Sequence, residues 1–296
     1  MIHWVCCSSK RAEMFVKKTY RTLERGKLTQ RLYLCVPEAE CTDYLKVLPP
    51  GSSVRVIPSP LRGLLYQRRH MRAMLPPYSQ IVFIDDDVES IKTLSNNGEH
   101  LSHCDDVEGL TAQLFKEMGP STLLWGVYPV TNRMWMSSTK YSANAYIVGA
   151  FYGIINHAQL WEGDRDECED YARQLSEQAE GRDTIRYNWV GIQTSYYTNA
   201  GGMQQDRNVQ KREDAINHLV KMYPLLVREH RKRDGTLDLR FLGKPVISAP
   251  LPSDDQSSHE EDLAVTLLPR VPSCQESPET DHSHPRPPSP RGCGLK

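Results

Sequence analysis

Three consecutive aspartates, Asp85, Asp86 and Asp87, follow the apolar run IVFI at residues 81–84. Residues i and i+2 of an extended chain point to the same side, so we predict that Asp85 and Asp87 face one ligand while Asp86 faces elsewhere. Oxygen ligands select hard cations, so this pair indicates an Mg²⁺ or Mn²⁺ site, and such ions commonly bind phosphate oxygens. The alternative is that Asp87 caps a helix over VESIKTL and its neighbours are solvated.

Two basic stretches offer anion-binding groups. Ser9, Lys10 and Arg11 lie between the first predicted strand and the first predicted helix, where hydroxyls, cations and free amides suit a diphosphate. The stretch GLLYQRRHMR after the third predicted strand supplies Gly63 and Arg68, and one of its arginines is a candidate phosphate ligand. The alternatives are a capping serine followed by surface charges, and a helix whose arginines are all solvated.

An acidic pair and a glycine pair lie farther along the chain. Glu169 and Asp170, in ECEDYARQL, are candidates for a general base that takes a proton from an acceptor hydroxyl. A solvated acidic turn at a helix start is the alternative, since carboxylates are also favoured there by the helix dipole. Gly201 and Gly202 would let a loop backbone approach a ligand closely, or would form a simple turn.

Strand-like and helical patterns alternate along the first half of the chain. IHWVCC, RLYLCV, VRVIP and QIVFI are strand-like, whereas AEMFVKKTYRTLERG, DYLKVL and LLYQRRHMRAML have helical spacing. This alternation predicts an α/β fold with a mostly parallel, Rossmann-like sheet and helices on both faces. After Ser90 the pattern loosens and predicts a mixed second half, including a strand over AYIVGAFYGII and a charged helix from about Asp166 to Gln178.

The composition changes at about Ala249. Nine of the chain's 20 prolines lie beyond that residue, together with many serines and only one short apolar patch. Such a segment buries too little apolar surface to offset its chain entropy. We therefore predict one domain over residues 1–248 and a disordered tail over 249–296.

Composition also narrows the function classes. The formal net charge of −1 gives no general argument for a nucleic-acid partner, and the eight cysteines, without a CxxC pair, indicate free thiols in a reducing compartment. GxSxG, GxGxxG and P-loop motifs are absent, and no apolar run of about 18 residues predicts a membrane span. No secretory signal is visible, so a nuclear or cytoplasmic location, of cellular or viral origin, is expected.

The order of these motifs resembles that of the GT-A glycosyltransferases associated with TET/JBP-type DNA-pyrimidine dioxygenases. The resemblance spans about residues 2–241 and rests on this ordered set: SSKR, GLLYQR, DDD, WGVYPVTNRMWM, YIVGAFYGIIN, ECEDYARQL, IRYNWV, GGMQQDR and YPLLVREHRKRDGTLDLRF.

This resemblance implies a GT-A fold and transfer of a sugar, glucose in the nearest members of the group, from a UDP-sugar with Mn²⁺ or Mg²⁺. It implies that Asp85 and Asp87 bind the metal and that Asp170 or Glu169 acts as base. The implied donor-binding residues are Ser9, Lys10, Arg11, Gly63, Arg68, Asp85, Asp86, Gly201 and Gly202. The implied acceptor is a hydroxymethylated pyrimidine of DNA, and a non-catalytic binding module or a nucleotidyltransferase are the competing hypotheses.

Overall fold

A computed structural model describes residues 1–138, 142–143, 145–161, 163–194 and 208–242. The strands of this part of the chain are β1 Ile2–Cys7, β2 Leu32–Pro37, β3 Arg55–Ser59, β4 Gln80–Asp85, β5 Val88–Leu94, β6 Leu101–His103, β7 Thr122–Tyr128, β8 Ser142–Ala143, β9 Phe151–Ile155, β10 Asp183–Thr194, β11 Val227–Arg231 and β12 Leu237–Phe241. The helices are α1 Ala12–Phe15, α2 Arg21–Arg25, α3 Cys41–Val47, α4 Leu64–Met74, α5 Val107–Lys116, α6 Glu169–Ala179 and α7 Val209–Met222. These residues belong to one compact unit, Met1–Ile247, and the predicted tail at 249–296 lies outside the described residues.

The central sheet is parallel in its first half and mixed in its second. Its described strands run in the order β3-β2-β1-β4-β9-β7-β10-β5-β6, with β8 beside β10. The pairs β3–β2, β2–β1 and β1–β4 are parallel, whereas β9 is antiparallel to both β4 and β7. The predicted α/β fold, with its mixed second half, is confirmed.

Helices cover both faces of the sheet, because successive side chains of each strand point to opposite sides. Trp4 of β1 belongs to a core cluster that includes Phe15 of α1 and Leu114 of α5. The next residue, Val5, belongs to a second cluster that includes Met71 of α4. The near-continuous apolar runs of β1 and β4 are therefore explained by burial on two faces.

A separate layer lies beside the sheet. The helices α6 and α7 pack with the β11–β12 hairpin around a third core cluster, which contains Leu175, Ile216 and Leu239. Asn208 caps the start of α7 by accepting a hydrogen bond from the Gln210 amide at 2.8 Å. None of the described helices combines the length and the apolar character needed to cross a membrane.

Two local predictions and one alternative differ from the structure, and one predicted helical segment is irregular. VESIKTL forms β5 rather than a helix, so Asp87 is not a helix cap. The first helical segment contains a π-helical stretch, Val16–Tyr20, between α1 and α2. The strand predicted over AYIVGAFYGII begins only at Phe151, and the charged helix begins at Glu169 rather than Asp166.

The parallel register brings the sequence motifs to one edge. Cys7, the last residue of β1, is paired with Asp85, the last residue of β4. The loops that follow these two strands therefore meet at the carboxyl edge of the sheet, where ligands bind in open α/β folds. This register is what places SSKR next to the three aspartates.

Candidate active site

A cavity of about 960 Å³ opens at this carboxyl edge. Its lining comes from the ends of β1 and β4, the starts of α4 and α6, the segment before β9, α7 and the β11–β12 hairpin. The lining includes eight of the residues predicted from the sequence: Ser9, Arg11, Gly63, Arg68, Asp85, Asp86, Glu169 and Asp170. Tertiary structure thus gathers residues that are spread over 160 positions of the chain.

Arg68 is the buried centre of the site. Its side chain is only 2% exposed, and Nη2 lies 3.2 Å from Oδ1 of Asp85. Nη2 also donates to the Gly149 carbonyl at 2.8 Å, and Nη1 donates to Oε1 of Glu169. The guanidinium therefore joins the end of β4 to the first turn of α6, and desolvated pairs of this kind require both partners.

The start of α4 is shaped to deliver Arg68. Asp166 accepts a hydrogen bond from the Leu65 amide at 2.8 Å and so satisfies an otherwise unpaired donor of the first helical turn. Gly63 has a φ of 125°, and a Cβ at this position would lie 2.7 Å from Oδ2 of Asp166. Glycine is needed here for its backbone conformation and for the close approach of Asp166.

Asp86 and Asp87 are turned toward Arg11 rather than divided between two sides. The strand ends at Asp85 and the next two residues form a turn, so the predicted alternation is wrong beyond that point. Arg11 Nη1 lies 3.2 Å from Oδ1 of Asp86 and 3.8 Å from Oδ2 of Asp87. Ser8 donates to Asp86, and Thr194 Oγ1 donates to Asp87 at 2.5 Å.

The SSKR loop is held by a carboxylate that sequence reasoning missed. Glu40 accepts from the Ser9 hydroxyl at 2.9 Å and from the Lys10 amide at 2.6 Å. Lys10 has a φ of 56° and an exposed side chain that does not belong to the cavity lining. Of the three predicted anion-binding residues, Ser9 and Arg11 face the cavity.

Burial and neighbouring carboxylates raise the pKa values of Asp85 and Asp86. Burial raises the pKa of Asp85 to about 7, against the opposing effect of Arg68. Burial also raises the pKa of Asp86 to about 6, against the opposing effect of Arg11. Four carboxylates, those of the aspartate triple and Glu169, meet two guanidiniums, so a further cation would be stabilised here.

The donor atoms suit a hard divalent ion, because carboxylate oxygens are the ligands that Mg²⁺ and Mn²⁺ prefer. Within the described ranges no group of three or more His, Cys, Asp or Glu side chains is arranged to hold a metal ion. The protein residues therefore fit a site with few side-chain ligands, completed by oxygens of a bound ligand.

Asp170 and Glu169 have different environments although they are adjacent. Asp170 lines the cavity, where Tyr146 OH donates to its Oδ2 and the Tyr171 amide donates to its Oδ1 at 2.9 Å. Burial, followed by the charge of Glu169, raises the pKa of Asp170 to about 6. A raised pKa would suit a general base, whereas Glu169 is engaged by Arg68.

Not every predicted residue is brought to the cavity. Asp87 contacts Arg11 just behind the lining, and Gly201 and Gly202 lie outside the described residues. Sequence reasoning missed Tyr146 and Asp166, both of which line the cavity. The acidic run DRDECED was a signal for Asp166, and Tyr146 opens the motif YIVGAFYGIIN, which was given no role in the site.

Comparisons with known proteins give distant structural likenesses only. No family model and no curated protein sequence matches the chain. A mannosyltransferase from Pyrobaculum calidifontis, in complex with GDP-Man and Mn²⁺, is 10% identical over 75% of this chain and 63% of its own, with a TM-score of 0.48. The match thus spans under two thirds of that enzyme.

Two further solved structures show weaker likeness. The 4-diphosphocytidyl-2C-methyl-D-erythritol synthase of Anaerococcus prevotii is 10% identical over 70% of this chain and 92% of its own, with a TM-score of 0.41. An active-site mutant of LgtC is 12% identical over 52% of this chain and 57% of its own, with a TM-score of 0.31. Similarities at this level do not assign the chain to a family.

Proposed function

We propose that this protein is a metal-dependent glycosyltransferase that moves a sugar from a UDP-sugar to an acceptor hydroxyl. The observation that carries the proposal is the link through Arg68, which joins the aspartate triple to the acidic pair of α6 within one cavity. A leaving-group site and a base within one cavity would support displacement at a sugar carbon.

The donor half of the site is formed by the carboxyl edge of β1 and β4. We infer that Asp85, which lines the cavity, holds Mn²⁺ or Mg²⁺ together with Asp87, whose side chain would exchange its contact with Arg11 for the ion. The ion when bound would neutralise charge on the departing diphosphate. Arg11 and Arg68 supply fixed positive charge beside the diphosphate. The resemblance to the TET/JBP-associated enzymes adds Ser9, Lys10, Gly63, Asp86, Gly201 and Gly202 as donor-binding residues.

The acceptor half contains Asp170. The acceptor oxygen attacks the anomeric carbon, the bond from that carbon to the β-phosphate oxygen breaks, and its electron pair remains on the departing UDP. Asp170 takes the proton of the attacking hydroxyl. Attack from the side opposite the diphosphate inverts the anomeric centre.

The sugar and the acceptor follow from the resemblance, which implies glucose and a hydroxymethylated pyrimidine of DNA. Lys211, Arg212 and Lys232 line the wall of the cavity formed by α7 and the hairpin, where Asp238 pairs with Arg212 and Lys232. Cations on this wall would suit the phosphates of such an acceptor. DNA as acceptor places the activity in the nucleus, or in the cytoplasm for a viral protein.

The test is incubation of the protein with Mn²⁺, radiolabelled UDP-glucose and DNA that contains hydroxymethylcytosine or hydroxymethyluracil. We expect label in the hydroxymethylated DNA and none in unmodified DNA of the same sequence. Pyrophosphate release from a nucleoside triphosphate would indicate a nucleotidyltransferase instead. Donor binding without transfer or hydrolysis would indicate a binding module.

A further inference from the structure

We propose that Tyr146 is the positioning residue of the reaction, holding the Asp170 carboxylate in the orientation that receives the acceptor proton. This inference rests on the proposed function, because Asp170 needs orientation only if it acts as base. The hydroxyl of Tyr146 donates to Oδ2 of Asp170, and both residues line the cavity.

The ring of Tyr146 is fixed by stacking. Its centroid lies 4.4 Å from that of Tyr171, with an angle of 18° between the planes. Tyr171 in turn stacks on Phe241 of β12, with centroids 6.0 Å apart. The rings form a short column between the segment before β9 and the hairpin, so the Tyr146 hydroxyl has a defined direction.

The backbone on either side of Tyr146 is also tied to α6. Gln174, which is fully buried, accepts from the Ile147 amide at 3.0 Å and donates to the Ala145 carbonyl at 2.9 Å. One side chain of α6 thus holds the two neighbours of Tyr146, and Asp170 lies one helical turn earlier on the same helix. Tyrosine and aspartate are therefore held in one rigid arrangement.

The contact has a defined chemical effect. A hydroxyl that donates to a carboxylate stabilises its charged form, so Tyr146 lowers the pKa of Asp170, opposing burial and the charge of Glu169. Arg173 and the Tyr171 amide act in the same direction. Other polar or charged groups near this pair include Cys168, Arg212, Asp238 and Arg186, whose Nη1 donates to the Tyr146 carbonyl at 3.1 Å. Burial raises the pKa of Tyr146 itself well above its ordinary value, so it stays a donor.

Replacing Tyr146 with phenylalanine keeps the ring column and removes only the donated hydrogen bond. We expect the acidic limb of the pH profile of sugar transfer to move toward neutral by about one pH unit, since bonds to charged groups have this strength. Transfer should fall roughly tenfold at acidic pH and recover above pH 8. Tyr171→Phe is the matched control, because that hydroxyl contacts Asp238 at 2.9 Å and the ring column is kept.

A second readout does not depend on activity. The carbon-13 signal of the Asp170 carboxyl, assigned by its loss in Asp170→Asn, should titrate at higher pH in Tyr146→Phe and at an unchanged pH in Tyr171→Phe. Equal loss of transfer at every pH, or an unmoved titration in a variant that still transfers sugar, would overturn the inference. A shifted titration in a protein that never consumes the donor would support the contact and overturn the proposed function.

Discussion

Arg68 and Glu169 are separated by 101 positions in the sequence and form a buried ion pair, in which the guanidinium is 2% and the carboxylate 8% exposed. The same guanidinium contacts Asp85, so one residue of α4 connects the carboxyl edge of the sheet to α6. The geometry of the candidate active site depends on this connection.

Replacing Arg68 with alanine should destabilise the protein by about 3–5 kcal/mol, because Asp85 and Glu169 would lose their shared buried partner. The free energy of unfolding, measured by urea denaturation, checks this. Arg31→Ala is the control, since Arg31 and Glu108 are each 45% exposed and such pairs contribute about 0–1 kcal/mol. Equal losses in the two variants would contradict the role of burial.

Asp170→Asn and Glu169→Gln should separate the two acidic roles. Loss of a general base lowers the rate by about 10²–10⁴-fold, so Asp170→Asn should nearly abolish sugar transfer. Glu169→Gln should instead lower stability through the lost charge on Arg68. Single-turnover transfer and urea denaturation measure the two effects. Loss of transfer in Glu169→Gln, with loss of stability in Asp170→Asn, would show that the two residues have the opposite roles.

Asp85→Asn and Asp87→Asn should each weaken Mn²⁺ binding, because each removes a charged oxygen ligand. The electron paramagnetic resonance signal of free Mn²⁺, followed in a titration with UDP-glucose present, measures this directly. Asp43→Asn, at an exposed position of α3, is the control and should bind Mn²⁺ like the unaltered protein. Full transfer by Asp87→Ala would disprove its assignment as a ligand.

Gly63→Ala should cost about 1–3 kcal/mol of stability, since a side chain at φ 125° is strained and its Cβ would lie 2.7 Å from Asp166. Gly51→Ala provides the matched control, because Gly51 also has a positive φ, 77°, but nothing lies within 4 Å of its Cβ position. The difference between the two losses in urea denaturation measures what the φ of 125° and the contact with Asp166 contribute together. If Gly51→Ala cost as much as Gly63→Ala, strain alone would explain both.

Asp238 should make the protein sensitive to acid. Burial raises its pKa, but hydrogen bonds from Lys232 at 2.6 Å and Tyr171 at 2.9 Å outweigh burial and hold the pKa below its ordinary value. A carboxyl with a lowered folded-state pKa contributes stability above its unfolded-state pKa of about 3.9 and loses it as the pH falls through the folded-state value.

The free energy of unfolding should therefore decline below about pH 4, and Asp238→Asn should flatten that decline. Denaturation in urea at several acidic pH values measures the slope. Asp43→Asn, at an exposed site, is the control and should keep the original slope. An unchanged slope in Asp238→Asn would show that other carboxyls cause the acid sensitivity.

Local sequence patterns were sufficient to predict most of the strands and helices. The uninterrupted apolar run at 81–84 predicted a strand buried on both faces, and β4 is such a strand. VESIKTL was misleading, because its apolar residues at 88, 91 and 94 recur every third residue, close to a helical spacing and unlike the alternation of a half-buried strand. Pairing with the next strand, β6, and with β10 from a distant part of the chain makes the segment a strand.

The sequence by itself determined the order of strands and helices, and with it the meeting of SSKR and the aspartate triple at one edge of a parallel sheet. Tertiary structure decided which charges meet: Arg68 lies against Glu169, Arg11 against Asp86, and Tyr146 donates to Asp170. The physical reason is the sequence distance between the groups that interact. Periodicity reports which face of an element is buried, whereas a hydrogen bond requires two groups from distant segments to approach within about 3 Å.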